Sequence, residues 1–190
     1  MRRALPHPSG SPSPWLALIA ALTLPFGCVL LGACAGPAPP RTVALPGGER
    51  GIAATITHVV DGDTVDLSLP DGTHERGRLL GIDTPETVKP NTPVQCFGPE
   101  ASARTKALLP PGTGVVIQRD REARDRYGRL LVYIWRGRDQ LFVNRSLVAD
   151  GFARTLSIEP NTAHRADLAA AAAAARTGRI GLWATCPPAG

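Results

Sequence analysis

Between residues 52 and 69 the chain alternates apolar and polar side chains in two short runs, with a turn signal after each. Ile52, Ala54, Ile56 and Val60 alternate with Ala53, Thr55 and Thr57, the two-residue period of a strand with one buried face. Asp61-Gly62 reads as a hairpin turn, and Val65, Leu67 and Leu69 then alternate with Thr64, Asp66 and Ser68. Pro70-Asp71-Gly72 turns the chain again before a third strand from Thr73 to Ile82. A chain that opens in this way must fold as a strand meander.

The rest of the pattern adds to that meander. Pro85 to Phe97 has no period and is a loop. Gly98-Pro99-Glu100 opens a helix, with proline in the first turn and an acid facing the positive end of the dipole; it runs to about Leu109 and stops at Pro110-Pro111-Gly112. Gly114 to Gln118 is a fourth strand, Asp120 to Gly128 a charged loop, and Arg129 to Trp135 a fifth strand. Gln140 to Asp150 reads as a short helix capped by Gly151. Thr162 to Thr177 is a longer one with an alanine run, and its small face suits close packing on a sheet. Together these predict an α+β, mainly β domain: a five-stranded Greek-key barrel of the oligonucleotide-binding (OB) type with three helices.

The N-terminus reads differently. Arg2 and Arg3 precede an apolar run from Trp15 to Leu31, and Leu31-Gly32-Ala33-Cys34 has the form of a lipobox. The expected organisation is a lipoprotein signal peptide over 1–33, a Pro/Gly-rich linker over 34–50 lipid-anchored at Cys34, a domain over 51–184 and a tail over 185–190. A plain secretory signal or a membrane anchor is the alternative. Export implies an oxidising compartment, in which Cys96 and Cys186 pair as a disulfide worth about 4 kcal/mol in the chain-entropy account; otherwise they are two free buried thiols. The net charge of +5 on 190 residues is mild. It suits an anionic partner without demanding one.

The chemistry is concentrated in a few stretches. Asp61-Gly62-Asp63-Thr64 and Arg78-Leu79-Leu80-Gly81-Ile82-Asp83-Thr84-Pro85-Glu86 carry four carboxylates and an arginine. Asp125-Arg126-Tyr127-Gly128-Arg129 adds further guanidinium groups. Acidic oxygens gather a hard cation, and arginines clamp a phosphate that gains charge in a transition state. Each stretch alone has a plainer reading, as a turn, a helix cap or a solvated hairpin tip. His58, His74 and His164 read as surface or hydrogen-bonded side chains rather than ligands, and the acceptor pattern Asn144-Arg145-Ser146 as coincidence. In an ideal strand Arg78 and Asp83 face opposite sides, so a bend or bulge near Gly81 is predicted.

Taken in order, Val60-Asp61-Gly62-Asp63-Thr64-Val65, Arg78-Leu79-Leu80, Asp83-Thr84-Pro85-Glu86-Thr87, Gly98-Pro99-Glu100-Ala101-Ser102, Asp125-Arg126-Tyr127-Gly128-Arg129, Val143-Asn144 and Gly181-Leu182-Trp183 resemble the staphylococcal (micrococcal, thermostable) nucleases from about Ile52 to Trp183. The resemblance implies that Asp63 and Asp83 bind Ca²⁺, with the Thr84 carbonyl. Glu86 would hold or deprotonate the attacking water. Arg78 and Arg129 would bind the scissile phosphate, and Arg126 and Tyr127 a neighbouring one. It implies a monomer that cuts DNA and RNA with little sequence preference, leaving 3′-phosphate and 5′-hydroxyl ends. The chain departs from the family after Gly151, where Arg154-Thr155-Leu156-Ser157-Ile158-Glu159-Pro160 offers no aromatic ring, and between Thr87 and Gln95, where Lys89 is the sole lysine. Competing readings are a catalytically silent nucleic-acid-binding barrel and a Ca²⁺-stabilised surface lipoprotein.

Overall fold

The longest strand decides the architecture. In the computed structural model, which describes residues 41–88 and 93–187, β2 spans Arg50–Asp61 and is long enough to pair with two different partners. Its first half pairs antiparallel with β6 (Gly114–Gln118), Ile52 opposite Ile117; its second half pairs with β3 (Thr64–Ser68) through the Asp61–Thr64 hairpin. β3 pairs with β4 (His74–Leu79), β4 runs parallel to β7 (Leu130–Arg136), and β7 returns to β6. The order β2-β3-β4-β7-β6 closes on β2, a five-stranded ring of the expected OB type. Closure covers most of the edge that these strands would otherwise expose.

The ring is filled by Ile56, Val65, Leu67, Leu79, Ile117, Val132 and Ile134, all buried, and β7 is buried along its whole length. Each such aliphatic side chain contributes about 1.5–3 kcal/mol. The inward face of β2 does not keep one parity. The register with β3 shifts between Ile56 and His58, so Val59 turns inward, and not Val60 as simple alternation predicts. An extra residue in one strand of a pair produces such a shift, and here it also buries Asp61.

The predicted third strand is broken. β4 ends at Leu79, and Gly81–Asp83 (β5) leaves the ring to pair with β9 (Arg154–Leu156) in a separate ribbon. The distortion expected near Gly81 is present: Gly81 has φ 75°, and a Cβ there would lie 2.3 Å from Leu168 Cδ1. Glycine is the residue that tolerates both constraints.

Helix α1 (Gly98–Leu108) lies against β2, and α2 (Val143–Ala149) lies against β7. The expected helix over 140–150 is shorter because Leu141–Phe142 forms β8, paired with β7. Helix α3 (Arg165–Thr177) starts three residues later than expected, since Asn161, Ala163 and His164 are bound to Glu122, Asp120 and Gln118. The helix, with Leu168, Ala171, Ala172 and Ala175 buried, packs chiefly on α2, while Leu168 reaches Gly81 of β5. A one-turn α4 (Leu182–Thr185) makes a fourth helix, against three expected.

Upstream, β1 (Thr42–Ala44) pairs with β2, and Leu45 is buried. These residues were expected as linker; the folded part therefore reaches back past the boundary placed at 51. The expected signal peptide, Cys34 of the expected lipobox, and Lys89 lie outside the described residues. Among the described residues no helix is long and apolar enough to cross a membrane.

Candidate active site

The break after Leu79 gathers the acidic side of the site. Arg78 sits at the end of β4, and its Nη1 donates to the carbonyls of Leu79 (2.6 Å) and Ile82 (2.8 Å), following the chain around the bend. Its Nη2 lies 3.1 Å from Asp63 Oδ2 and 3.0 Å from Asp83 Oδ1. One guanidinium thus bridges a carboxylate from the β2–β3 hairpin and one from β5. Asp63 is the buried member, its side chain 11 % exposed against 55 % for Asp83.

Asp63 is also bound to the segment beyond β5. Thr84 donates to Asp63 Oδ2 from its backbone nitrogen (3.0 Å) and from its hydroxyl (3.1 Å), and Thr64 Oγ1 donates to Asp63 Oδ1. The fit needs Gly62, where a Cβ would come within 2.6 Å of Thr84 Oγ1. Thr105 of α1 donates to the Gly62 carbonyl at 2.7 Å, so the hairpin is gripped from both sides. Glu86 follows three residues after Asp83. Its carboxylate accepts from the backbone nitrogens of Thr87 and Val88. Thr87 in turn donates its hydroxyl to Asp61 at 2.6 Å, tying the Glu86 segment to the hairpin.

The opposite wall is the loop before β7. Asp125 organises it, accepting from the backbone of Tyr127 and Arg129 and from Arg129 Nε at 2.7 Å. Burial pushes the Asp125 carboxyl up, but the Arg129 and Tyr127 hydrogen bonds outweigh it and hold it below the usual carboxylate range. Tyr127 is exposed, with the Arg126 guanidinium 4.8 Å and that of Arg129 5.5 Å from its ring centre. Arg124 is held by Glu75, whose carboxyl is lowered by that bond.

Arg78, Arg126, Tyr127 and Arg129 line one open cleft of about 780 Å³. Leu156 and Ile158 stand in this cleft on the stretch that lacks aromatic rings. The structure therefore joins Asp63, Arg78, Asp83 and Thr84 by direct contact and sets Arg78, Arg126, Tyr127 and Arg129 around a common space. Glu86 connects to the first group through Thr87 and Asp61. Among the described residues no three His, Cys, Asp or Glu side chains converge on one point. The acid wall still fits a hard cation: the Arg78 nitrogen already sets a positive charge between two carboxylates, with oxygen donors around it. Cys96 and Cys186 are joined as a disulfide, their Cα atoms 5.8 Å apart.

Sequence reasoning gave no role to several residues that build the site. Asp125 had a signal, its four-residue spacing to Arg129. Asn144 matched the family pattern without a function; it is fully buried, accepts from Ile134 N, and donates to the Leu80 carbonyl at 2.8 Å, pinning the break in the strand. That burial agrees with reading Asn144-Arg145-Ser146 as coincidence. Gln95 had no signal at all.

Two carboxylates held on Arg78, which with Arg126, Tyr127 and Arg129 lines an open cleft on a small closed sheet, form a set suited to a phosphate ester. The sequence pattern of the family described as staphylococcal nuclease homologue matches residues 76–185. The chain is 43 % identical over 134 residues to a thermonuclease of Staphylococcus intermedius, covering 70 % of this chain and 77 % of that one. It is 39 % identical over 128 residues to a thermonuclease of Staphylococcus hyicus, covering 67 % and 73 %. To endonuclease YncB of Bacillus subtilis (strain 168) it is 34 % identical over 134 residues, covering 70 % and 62 %. The chain belongs to the staphylococcal nuclease homologue family.

Proposed function

We propose that the protein is a Ca²⁺-dependent nuclease that hydrolyses DNA and RNA with little sequence preference, leaving 3′-phosphate and 5′-hydroxyl ends. The observation that carries the reading is the Arg78 guanidinium, which touches Asp63 and Asp83 on one side and faces Arg129 across the cleft on the other. The thermonuclease relatives support it.

In this reading the scissile phosphate lies in the cleft between Arg78 and Arg129. Contacts to phosphate carry no sequence information, which accounts for low specificity. When held by Asp63, Asp83 and the Thr84 carbonyl, Ca²⁺ supplies positive charge against the anionic ester. Glu86 orients a water and accepts its proton, a contribution of about 10²–10⁴-fold. A bond forms from the water oxygen to phosphorus while the bond to the 5′-oxygen breaks, and the departing oxygen takes a proton from solvent water to become the 5′-hydroxyl. Negative charge grows on the equatorial oxygens, and the planar forks of Arg78 and Arg129 meet it with paired hydrogen bonds. Nη2 of Arg78, now shared by two carboxylates, is the group that moves onto the ester oxygen. Arg126 and Tyr127 hold the neighbouring phosphate at the rim. The enzyme acts as a monomer, exported and anchored through lipid on Cys34, a reading supported by the sequence of the leader.

Incubation of the full chain with single-stranded DNA in Ca²⁺ and in EGTA tests the reading. Cleavage in Ca²⁺ alone, lost in Glu86→Ala, is the expected result. Retention of DNA without cutting, weakened by salt, would instead mark a silent binding module. Absence of both would leave a surface protein unrelated to nucleic acid.

A further inference from the structure

We propose that Gln95, locked by the Cys96–Cys186 bridge, positions Glu86 for catalysis, so that turnover depends on the oxidation state of these two cysteines. The inference rests on the nuclease reading above.

The segment from Asp83 to α1 carries Glu86 near its start and Gln95 near its end, and the two residues are clasped together. Gln95 N donates to the Glu86 carbonyl at 3.0 Å, and Glu86 N donates to Gln95 Oε1 at 3.0 Å. Both backbone polar groups of Glu86 thus end on one residue. Gln95 is exposed, where water competes for such bonds and their net worth is small. Gln95 is fixed in two ways: its carbonyl accepts from Gly98 N at the start of α1 (3.0 Å), and its neighbour Cys96 is bonded to Cys186 across 90 residues of sequence.

Cys186 is a firm anchor. Its backbone nitrogen bonds the Leu182 carbonyl, Leu182 is buried, and Leu182 N bonds the Gly151 carbonyl. Gly151 and Gly181 meet backbone to backbone, with room for no side chain: a Cβ on Gly181 would lie 2.5 Å from the Gly151 oxygen. The bridge also shares a crevice of about 150 Å³ with Asp83, Pro85 and Gln95, which places it against the acid wall itself. On its other flank Glu86 is held by the Thr87–Asp61 bond. The disulfide therefore closes the second of two clamps on this segment. Neither Arg78 on β4 nor Arg129 on the loop before β7 lines that crevice.

Reduction opens that clamp. A dithiol attacks one sulfur, the S–S bond breaks, and a mixed disulfide forms. The second reductant thiol then resolves it, leaving two protein thiols and an oxidised reductant, a transfer of two electrons and two protons. A disulfide oxidant reverses the change. A misplacement of about 1 Å at a reacting group costs about 10²-fold. In a thiol-reducing compartment the chain is consequently a slow nuclease, and full turnover waits for oxidation.

The test compares kcat and KM on single-stranded DNA in Ca²⁺ for four forms of the full chain. These are the oxidised protein, the protein reduced with dithiothreitol and blocked with iodoacetamide, the Cys96→Ser with Cys186→Ser double variant, and Gln95→Ala with the bridge intact. All are assayed at a temperature where circular dichroism shows them folded, and hydrogen exchange is read at the Glu86 amide. The expected result is a loss in kcat of about tenfold or more in both bridge-free forms with KM within about twofold. Gln95→Ala should lose kcat in the same direction with its melting temperature unchanged. Full kcat in the bridge-free forms, or in Gln95→Ala, overturns the proposal and leaves the bridge a stabilising crosslink. If even the oxidised protein cuts nothing, the nuclease reading fails. Exchange at the Glu86 amide then decides the positioning by itself: faster exchange without the bridge supports it, and equal exchange overturns it.

Discussion

Arg78 and Arg129 face the same cleft but are held in contrasting ways. The Arg78 side chain is 13 % exposed and spends its donors on two carbonyls and two carboxylates. The Arg129 side chain is 30 % exposed and is held by Asp125, with its guanidinium over the Tyr127 ring. The acid wall is part of the fold, because the same contacts that place its carboxylates also close the hairpin and the strand break. The basic wall is a surface loop organised by one aspartate. Function and stability are therefore coupled on one side of the cleft and separable on the other.

The largest expected effect breaks the comparison open. Arg129→Ala should lower kcat/KM by about 10²–10³-fold, the worth of one transition-state donor. Its melting temperature should move by about 2 °C or less, since the pair is only part-buried and Asp125 keeps its backbone donors from Tyr127 and residue 129. Arg78→Ala should lose at least as much activity and in addition about 2–3 kcal/mol of stability, because Asp63 is left buried without its cation. Added Ca²⁺ should restore part of that stability in urea unfolding, and none in Arg129→Ala beyond what the parent gains. Equal melting temperatures for the two variants would erase the distinction between the walls.

Two smaller effects sharpen it. Gly81→Ala should cost about 2 kcal/mol by denaturant unfolding, since alanine resists positive φ and its Cβ meets Leu168. Tyr127→Ala should raise KM severalfold, about 1 kcal/mol in binding, and leave kcat and stability unchanged.

The smallest effect lies away from the cleft. Burial among Tyr133, Trp135 and Phe142 pushes the His164 imidazole below its ordinary value of 6.5, against the raising pull of Glu49, Asp167 and Asp120. The neutral ring is favoured in the folded protein, so the stabilisation is full above pH 6.5 and is lost as pH falls through the folded value. His164→Gln should flatten that acid limb of the stability profile. The Tyr133 hydroxyl, raised by burial to about 12, stays protonated throughout.

Much of the ring was legible in the sequence because short alternating runs and Gly-containing turns act locally. Asp61-Gly62 and Pro70-Asp71-Gly72 turn the chain where they were read to do so. The parity clash between Arg78 and Asp83 announced a break that Gly81 supplies. What was not legible depends on partners far along the chain. Thr42–Ala44 has no strand signal of its own and joins the sheet because β2 offers an edge. Leu156 and Thr155 pair with β5 once the break has freed it. Gln95 gains its role through a bridge to Cys186, and Asn144 through carbonyls exposed at a kink. The candidate site was readable as a set of residue types in order; the bonds that aim them were not.

The central claim is that the acid wall and the basic wall serve one ester. Calorimetric titration of Ca²⁺ into the full chain, with and without a saturating mononucleotide phosphate, tests it most directly. Ligands that share a site change each other's affinity, by about 5–150-fold in typical cases. The nucleotide should tighten Ca²⁺ binding by about tenfold, and Arg129→Ala should abolish the gain. The same Ca²⁺ affinity with and without nucleotide would mean that the two walls act on separate ligands, and would contradict the claim.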